Sequence, residues 1–276
     1  ACAKHGYKVT VIAPNNHSRF IGGLQIAPNG LAALSSLGGE QEILNKAVRL
    51  LAVQIKAFDT AVSLTNIPLS SKNDPYVSIA RHDLYEILLN KCLTNSLIKF
   101  MDARVLAITN KNNHTRLALD IGEIITAPII IGADGWDGKT RRFISPSANQ
   151  KNSGYSIYRG IFPASKVPAG FSYPDVQLWL GNSCHLVSYP IQNSQAVNFV
   201  FAFSERAFES HSIDAIFCNH PVLSILGDYT QNWHLTPIKQ FDSLSNWRRG
   251  GITLIGDAAH PMPPHLAQGA GQSFMD

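Results

Sequence analysis

The sequence has little of what would mark a membrane, metal-binding or disulfide-rich protein. Its 276 residues contain no apolar run near the ~18 residues that a membrane span requires. The cysteines lie far apart, without the close spacing of a zinc site or the density of a disulfide framework. They are Cys2, Cys92, Cys184 and Cys218. We therefore expect no metal, no membrane span and a reducing, cytoplasmic environment.

Charge is also scarce. Only 15% of the residues are charged and the net charge is +4. The basic residues are dispersed, and Arg141-Arg142 and Arg248-Arg249 are the adjacent basic pairs. This distribution argues against a nucleic-acid partner. The chain is 45% hydrophobic, and its length suits one large or two modest domains with a sizeable core.

The first residues predict the second half of a βαβ unit. Between Ala1 and Pro14 lie the end of a helix, a glycine stop at Gly6 and the β-branched run 9–12. A crossover helix returns from an earlier parallel strand, so we expect a hydrophobic strand and a glycine-rich turn upstream, neither of which the sequence contains. The chain starts without methionine and stops within a predicted helix. We therefore expect it to be truncated at both ends.

Two kinds of sheet are predicted. The first part has probable helices at 31–37 and 81–92, a hairpin over 104–120 and a buried parallel strand at 129–131. The amino-acid pattern changes at residues 155–242, where aromatic-rich runs are separated by Gly, Pro, Asn and Ser. This pattern is typical of antiparallel strands. The run Ile252-Thr-Leu-Ile255 then returns to the buried parallel type.

Two predicted strands end in closely similar ways. Gly132-Ala-Asp134-Gly135 follows the first, and Gly256-Asp257-Ala-Ala follows the second. Ligands of open parallel sheets bind outside the carboxyl ends of strands, where a carboxylate can accept hydrogen bonds from sugar hydroxyls and glycine allows close approach. The alternative, that each Gly-Asp is only a turn and a helix cap, stays open. Two matched copies favour one shared ligand.

The stretch from Ala258 to Gln272 predicts a stiff, close-packed loop before a helix. Prolines restrict its backbone, while glycines and alanines remove side-chain bulk. A helix that begins near Gly271 would direct free N–H groups and a positive dipole end at whatever lies before it. Such a site can hold an electron-rich ring.

These segments resemble the group A flavoprotein monooxygenases, the salicylate and hydroxybenzoate hydroxylase family. Gly256 to Asp276 resembles the flavin-binding motif, and Gly132 to Gly135 with Arg141 resembles a second motif associated with FAD and NAD(P)H. Arg81-His-Asp-Leu84 is similar to the helix whose arginine lies near the FAD. Gly23 to Gly30 is similar to the segment after the family's second strand. The resemblance spans nearly the whole chain.

The resemblance implies an α/β fold, with a Rossmann-type FAD-binding domain, whose first strand is missing, and an inserted, mostly antiparallel substrate-binding sheet. The FAD-binding parts would be 1–150 and 245–276 and the substrate sheet 151–244, with about 48–78 open to assignment to the substrate side. FAD is the implied cofactor and NAD(P)H the co-substrate. A homodimer stays open. The implied cofactor-binding residues are Arg81, Asp134, Gly135, Gly256, Asp257, Pro264, Gly269, Ala270, Gly271 and Gln272.

The implied reaction hydroxylates a small phenolic or carboxylated aromatic substrate with O2, through a flavin hydroperoxide. His185 and Tyr189 resemble residues of the salicylate- and hydroxynicotinate-hydroxylase-like branch, and strand residues four apart point to the same face. His185 is the candidate base, because its pKa suits removal of a phenolic proton at neutral pH. The alternative is that both residues only pack on the sheet face.

Four further residues are weaker candidates. His260 and His265 are expected to orient the proline-containing loop of residues 258–272, which we call the proline loop, rather than to catalyse. Arg159 stands where the family has an arginine, but the sequence assigns it no role. Cys184 beside His185 suggests a nucleophile, but flavin hydroxylation needs none, so we expect it to pack.

Three departures leave alternatives open. Ala13-Pro14 stands where the family has an acidic ribose-binding residue, Gly138 stands where it usually has a serine, and the Gly-x-Gly-x-x-Gly turn is absent from the sequence. A truncated or degenerate non-catalytic relative is therefore the alternative function. A flavin halogenase or reductase is a third hypothesis, but no additional catalytic lysine motif supports it.

Overall fold

The computed structural model describes residues 1–14, 22–69, 74–111, 114–208, 212–218, 220, 222–224, 226 and 231–276. The strands in chain order are β1 (Val9–Ile12), β2 (Gly23–Ile26), β3 (Val48–Leu50), β4 (Ala52–Ala57), β5 (Ser63–Pro68), β6 (Tyr76–Ala80), β7 (Ile98–Met101), β8 (Val105–Lys111), β9 (His114–Leu119), β10 (Ile124–Ala127), β11 (Ile130–Gly132), β12 (Gln150–Pro163), β13 (Asp175–Gly181), β14 (Cys184–Ile191), β15 (Ala196–Ser204), β16 (Trp233–Phe241), β17 (Arg248–Arg249) and β18 (Ile252–Leu254). The α-helices are α1 (Pro28–Ser36), α2 (Glu40–Lys46), α3 (Arg81–Leu93), α4 (Lys139–Ile144), α5 (Ile213–Phe217) and α6 (Gly269–Met275).

The parallel strands that the sequence predicts for the α/β part are confirmed, and the structure shows which strands they pair with. Strand β1 pairs in parallel with β7, and β11 pairs in parallel with β18, whose other edge carries β17. A short helical turn, Cys2–His5, precedes β1 and ends at Gly6, whose φ of 82° lies in the left-handed region that glycine tolerates. The predicted helix end and glycine stop are therefore confirmed.

The helices differ from the predictions at their ends. Helix α1 begins at Pro28, three residues before the predicted start, because proline at the first helical position needs no N–H partner and already has a helical φ. Helix α3 agrees with the prediction to within one residue. Helix α2 was not predicted, and α6 begins at Gly269 rather than near Gly271.

The prediction of a buried strand at 129–131 is only partly correct. Strand β11 is parallel as expected, but Ile129 and Ile131 are 69% and 44% exposed. Its partner β18 is buried at Ile252 and Leu254. Strand side chains point to the two faces of a sheet, so the exposure of Ile129 and Ile131 means that little of the described structure packs over them.

The predicted antiparallel sheet is confirmed as a seven-stranded sheet with the order β16-β12-β15-β14-β13-β4-β5. All its pairs are antiparallel except β13 with β4. Strands β4 and β5 come from the segment that the sequence left open. Strand β6 instead pairs with β2 on one edge and β3 on the other, in a separate antiparallel sheet that contacts the large sheet through β6 and β14.

The large sheet has two chemically different faces. One face packs a dense aromatic core, which includes Phe162, Trp179, Phe199, Phe201 and Phe217. The other, which we call the site face, carries the alternate side chains of β14 and the residues paired with them on β15 and β12. The aromatic core makes the sheet a rigid support for the site face, because well-packed interiors resist deformation.

Candidate active site

The structure places His185 and Tyr189 on the site face, one on each side of Val187. Across the strand pair, His185 faces Ala202, Val187 faces Val200 and Tyr189 faces Asn198. On β12, the next strand of the sheet, Ile157 faces Ala202, Arg159 faces Val200 and Ile161 faces Asn198. The half-buried valines 187 and 200 thus form an apolar floor with polar side chains around it. Such a floor suits the face of a small aromatic ring.

His185 meets a second histidine from the proline loop. Its ring lies 5.5 Å from that of His265, at an interplanar angle of 62°. Tyr155 is the other ring neighbour of His265, with 6.3 Å between the centroids. Burial lowers the pKa of His185, and the nearby His265 lowers this pKa further. His185 is therefore held in its neutral form, which can accept a proton.

Tyr189 occupies the opposite end of the floor and is almost fully buried. Gly23 passes so close that a Cβ there would lie 2.7 Å from Tyr189 Cε2 and 3.2 Å from its hydroxyl oxygen. Only glycine fits this approach between β2 and the large sheet. Burial raises the pKa of Tyr189, while the charges of Arg81 and Arg159 oppose that rise. The hydroxyl therefore remains a neutral hydrogen-bonding group.

The second glycine–aspartate motif is tied to the end of α6. Asp276 Oδ2 accepts a hydrogen bond from the Gly256 backbone N–H at 2.6 Å and pairs with His260 Nε2 at 2.9 Å. Gly256 has a φ of 56°, and a Cβ there would lie 3.0 Å from Ser273 Oγ. This contact links His260 to the end of α6, and its predicted role in orienting the proline loop stays a prediction.

Helix α6 packs closely on α1. A Cβ on Gly30 would lie 3.2 Å from Gly271 Cα, so a larger residue would force the helices apart. On the other side, a Cβ at Gly269 or Gly271 would meet no described atom within 4 Å. The predicted cofactor segment Gly269–Gln272 therefore presents open backbone beside the loop that carries Pro264 and His265.

The first glycine–aspartate motif adopts the capping arrangement that the sequence left as an alternative. The Asp134 carboxylate accepts hydrogen bonds from the Thr140 N–H, at 2.9 Å, and from the Thr140 hydroxyl, in the first turn of α4. It fills the space that a Cβ on Gly138 would need. Gly135 turns the chain with a φ of 79°. Cofactor binding by Asp134 and Gly135 stays a prediction.

Arg141 joins the two motifs. Its guanidinium donates hydrogen bonds to the carbonyls of Ala258 at 2.9 Å, Ala259 at 3.2 Å and Asp242 at 3.2 Å. Only 4% of the residue is exposed, and burial lowers its pKa. Because these carbonyls use its donors, Arg141 holds the segment after β18 against α4.

Several residues fit a bound flavin nucleotide. Asp257 and Arg81 have exposed side chains, and neither forms an ion pair within the described residues. A carboxylate suits sugar or ribityl hydroxyls, and a guanidinium suits phosphate. Together with the open backbone at Gly269 and Gly271, this donor set fits FAD.

The sequence missed Asn198 and gave Arg159 no role. Asn198 is 1% exposed, and its Oδ1 accepts a hydrogen bond from the Gly23 N–H at 2.8 Å. A polar residue inside the apolar run 196–203 was the available signal, since a buried amide needs partners. Cys184 behaves as expected of a packing residue, because burial raises the pKa of its thiol to about 11.

Comparison with protein families and curated proteins identifies relatives of this chain. A family model described as "FAD binding domain" matches residues 3–276. The 3-hydroxybenzoate 6-hydroxylase 1 of Aquipseudomonas alcaligenes is 28% identical over 92% of this chain and 68% of its own length. The 3-amino-4-hydroxybenzoate 2-monooxygenase PtmB3 of Streptomyces platensis is 30% identical over 92% of this chain and 67% of its own length.

A third relative and a solved structure extend the comparison. The 6-hydroxynicotinate 3-monooxygenase of Bordetella bronchiseptica is 26% identical over 94% of this chain and 71% of its own length. The crystal structure of CtdE in complex with FAD and a substrate superposes with a TM-score of 0.83 at 17% identity, over 99% of this chain and 74% of that one. The structural match supports the fold. By its sequence, the chain belongs to the FAD binding domain family, among the flavin-dependent aromatic-ring monooxygenases.

Proposed function

We propose that the protein carrying this chain hydroxylates a small aromatic acid that also bears a ring hydroxyl group. The observation that carries the proposal is the neutral, half-buried His185 at the end of an apolar floor, facing His265 from the proline loop. The curated relatives are named for 3-hydroxybenzoate, 3-amino-4-hydroxybenzoate and 6-hydroxynicotinate, each of which has a hydroxyl and a carboxylate on one ring.

In the overall reaction one oxygen atom of O2 enters the ring and the other leaves as water. NAD(P)H supplies two electrons and becomes NAD(P)+, and one proton is consumed. Bound FAD supplies the route by which these electrons activate O2. His185 Nδ1 or Nε2 accepts the phenolic proton, and the resulting phenolate is electron-rich at its ortho and para carbons. Tyr189 stays protonated and orients the ring by hydrogen bonding.

Different predicted cofactor residues would contact different parts of FAD. Arg81 would pair with a phosphate, and Asp257 would accept hydrogen bonds from hydroxyl groups of the cofactor. The open backbone from Gly269 to Gln272 and the ring of Pro264 would lie against the flavin. Asp134 and Gly135 would lie beside the cofactor, and the Asp134 carboxylate would shape the neighbouring turn by accepting hydrogen bonds from Thr140.

The domain boundaries follow the sheets in this proposal. Residues 1–150 and 245–276 form the FAD-binding part, and 151–244 form the substrate sheet. Strands β4 and β5 add residues 52–68 to the substrate side, since they continue that sheet. Within the described residues no helix is long and apolar enough to cross a membrane. A cytoplasmic location and a homodimer stay predictions.

The test is turnover by the FAD-loaded protein. We expect O2-dependent NAD(P)H oxidation that an aromatic hydroxy acid stimulates, with a hydroxylated product identified by mass spectrometry. His185→Gln should lower the rate of product formation by about 100-fold or more, the usual contribution of a general base. His114→Gln, at an exposed position of the hairpin strand β9, is the matched control and should retain full activity.

The same assay tests the non-catalytic alternative. A protein that binds FAD but oxidises no NAD(P)H with any aromatic acid would support that alternative. Gly138, which departs from the family's usual serine, does not favour it, because the Asp134 carboxylate fills the space beside that glycine. Full hydroxylation by the His185→Gln variant would remove the base assignment.

A further inference from the structure

We propose that Arg159, together with Tyr189 and Asn198, forms an anion subsite that binds the carboxylate of the aromatic substrate. The proposal rests on the proposed function and names the part of the molecule that selects acids over simple phenols. Its basis is a set of hydrogen-bond donors at one end of the site face, without an acidic partner within the described residues.

The first observation is that two arginines converge on Tyr189. Both guanidinium charges act on the Tyr189 hydroxyl, and Arg81 also acts on Arg159, whose pKa is lowered first by burial and then by this like charge. Two neighbouring cations in a partly buried region repel each other unless an anion lies between them. The arrangement is therefore that of a site prepared for a negative group.

The second observation is an unpartnered donor. Asn198 is 1% exposed, and its Nδ2 has no hydrogen-bond partner in the described structure. The bond from the Gly23 N–H fixes Oδ1, so the amide cannot turn to satisfy its NH2 group. A buried unpaired donor costs stability unless a ligand takes it up.

The third observation joins these groups in space. A Cβ at Gly22 would lie 3.7 Å from both Arg81 Nε and Asn198 Oδ1, and a Cβ at Gly23 would lie 3.2 Å from the Tyr189 hydroxyl oxygen. Two consecutive glycines thus leave the backbone bare where the donors meet. Only glycine permits this close approach at position 23, which brings the Gly23 N–H, Asn198 and the Tyr189 hydroxyl together.

The position of the subsite identifies its ligand. Arg159 lies across the strand pair from Val200, and Asn198 lies across from Tyr189, so both border the apolar floor that ends at His185. A ring on this floor would direct a carboxylate at Arg159 and Asn198 while its hydroxyl faces His185. A phosphate of the cofactor is the other oxyanion source, and the experiment separates the two.

The experiment measures binding rather than turnover. The FAD-loaded protein is titrated anaerobically with a hydroxybenzoate and with phenol, and the change in flavin absorbance gives each Kd. We expect Arg159→Met to weaken hydroxybenzoate binding by about 30-fold or more, as for loss of a buried charged partner, and to leave phenol binding unchanged. Arg159→Lys should recover part of the loss. Arg206→Met, on the exposed turn after β15, should change neither Kd.

Each outcome decides the proposal. Equal losses for hydroxybenzoate and phenol would show that Arg159 only supports the fold, and would overturn it. A loss of FAD affinity with an unchanged ratio of the two Kd values would assign the anion to a cofactor phosphate, and would also overturn it. If the wild-type protein binds the acid through Arg159 but hydroxylates nothing, the subsite stands and the proposed function fails.

Discussion

The imidazole rings of His185 and His265 lie 5.5 Å apart, edge to face, where the proline loop meets the large sheet. The sequence predicts His185 as the candidate base and His265 as a residue that orients the proline loop. The contact brings these two residues together. Burial lowers the pKa of His185, and the nearby His265 lowers this pKa further. The contact therefore makes the pKa of the candidate base depend on a residue of the proline loop.

The first prediction concerns this pH response. Burial and His265 both lower the pKa of His185, so the base stays neutral to a lower pH than a free histidine, whose pKa is about 6.5. Replacing His265 with asparagine removes the like charge. The pKa of His185 should rise, and the acid limb of the kcat/KM profile should move to higher pH. An unchanged or downward-shifted limb would show that the pair is not coupled.

The second prediction concerns Arg141. Arg141→Met would leave the carbonyls of Ala258, Ala259 and Asp242 without their donor, which should lower the free energy of unfolding by at least about 2 kcal/mol. Thermal unfolding measures the effect. Arg142→Met removes the adjacent arginine, which is exposed and pairs only with exposed Asp137 in the described residues. The control should change stability little; similar losses for both variants would contradict the bridging role of Arg141.

The third prediction concerns Gly138. An alanine there would push its Cβ into the Asp134 carboxylate and disturb the bonds to Thr140. We expect a loss of about 1–3 kcal/mol of unfolding free energy, typical of overpacking. Gly170→Ala is the control, because a Cβ at that position would meet no described atom within 4 Å. Were Gly138→Ala as stable as Gly170→Ala, the packing reason for this glycine would be wrong.

The fourth prediction concerns acid stability. Buried His220 bridges the Phe58 carbonyl, through Nε2, and the Val222 and Leu223 N–H groups, which donate to Nδ1 at 3.1 and 2.9 Å. Burial lowers the pKa of His220, so below pH of about 6.5 the unfolded chain takes up a proton that the folded chain resists. Unfolding free energy should therefore fall as the pH drops from about 6.5 towards the lower folded pKa.

A variant isolates this contribution. His220→Gln should be less stable than the wild type at pH 7.5 by about 1–3 kcal/mol, because the Val222 and Leu223 N–H groups lose their acceptor. Its stability should also depend less on pH between 5 and 7 in urea unfolding measurements. His114→Gln on β9 is the matched exposed substitution. A variant with the same pH slope as the wild type would exclude His220 as the titrating group.

Local features of the sequence predicted much of the fold. The glycine stop at Gly6, the helix from Arg81 and the aromatic antiparallel strands were predictable because they depend on backbone conformation and on hydrophobic pattern. The exposure of Ile129 and Ile131 was not predictable, because burial depends on what packs on the faces of the sheet. Three consecutive isoleucines look the same in the sequence whether or not the faces of their strand are covered.

The sequence by itself determined the family motifs, the strand spacing that puts His185 and Tyr189 on one face, and the choice of His185 as the candidate base. The tertiary structure decided what those residues meet: His265 beside the base, two arginines and Asn198 beside Tyr189, and Arg141 between the two glycine–aspartate motifs. These contacts join residues distant along the chain, by more than 170 positions for Asn198 and Gly23. Propensity and periodicity act over a few residues, whereas such contacts depend on how the sheets pack.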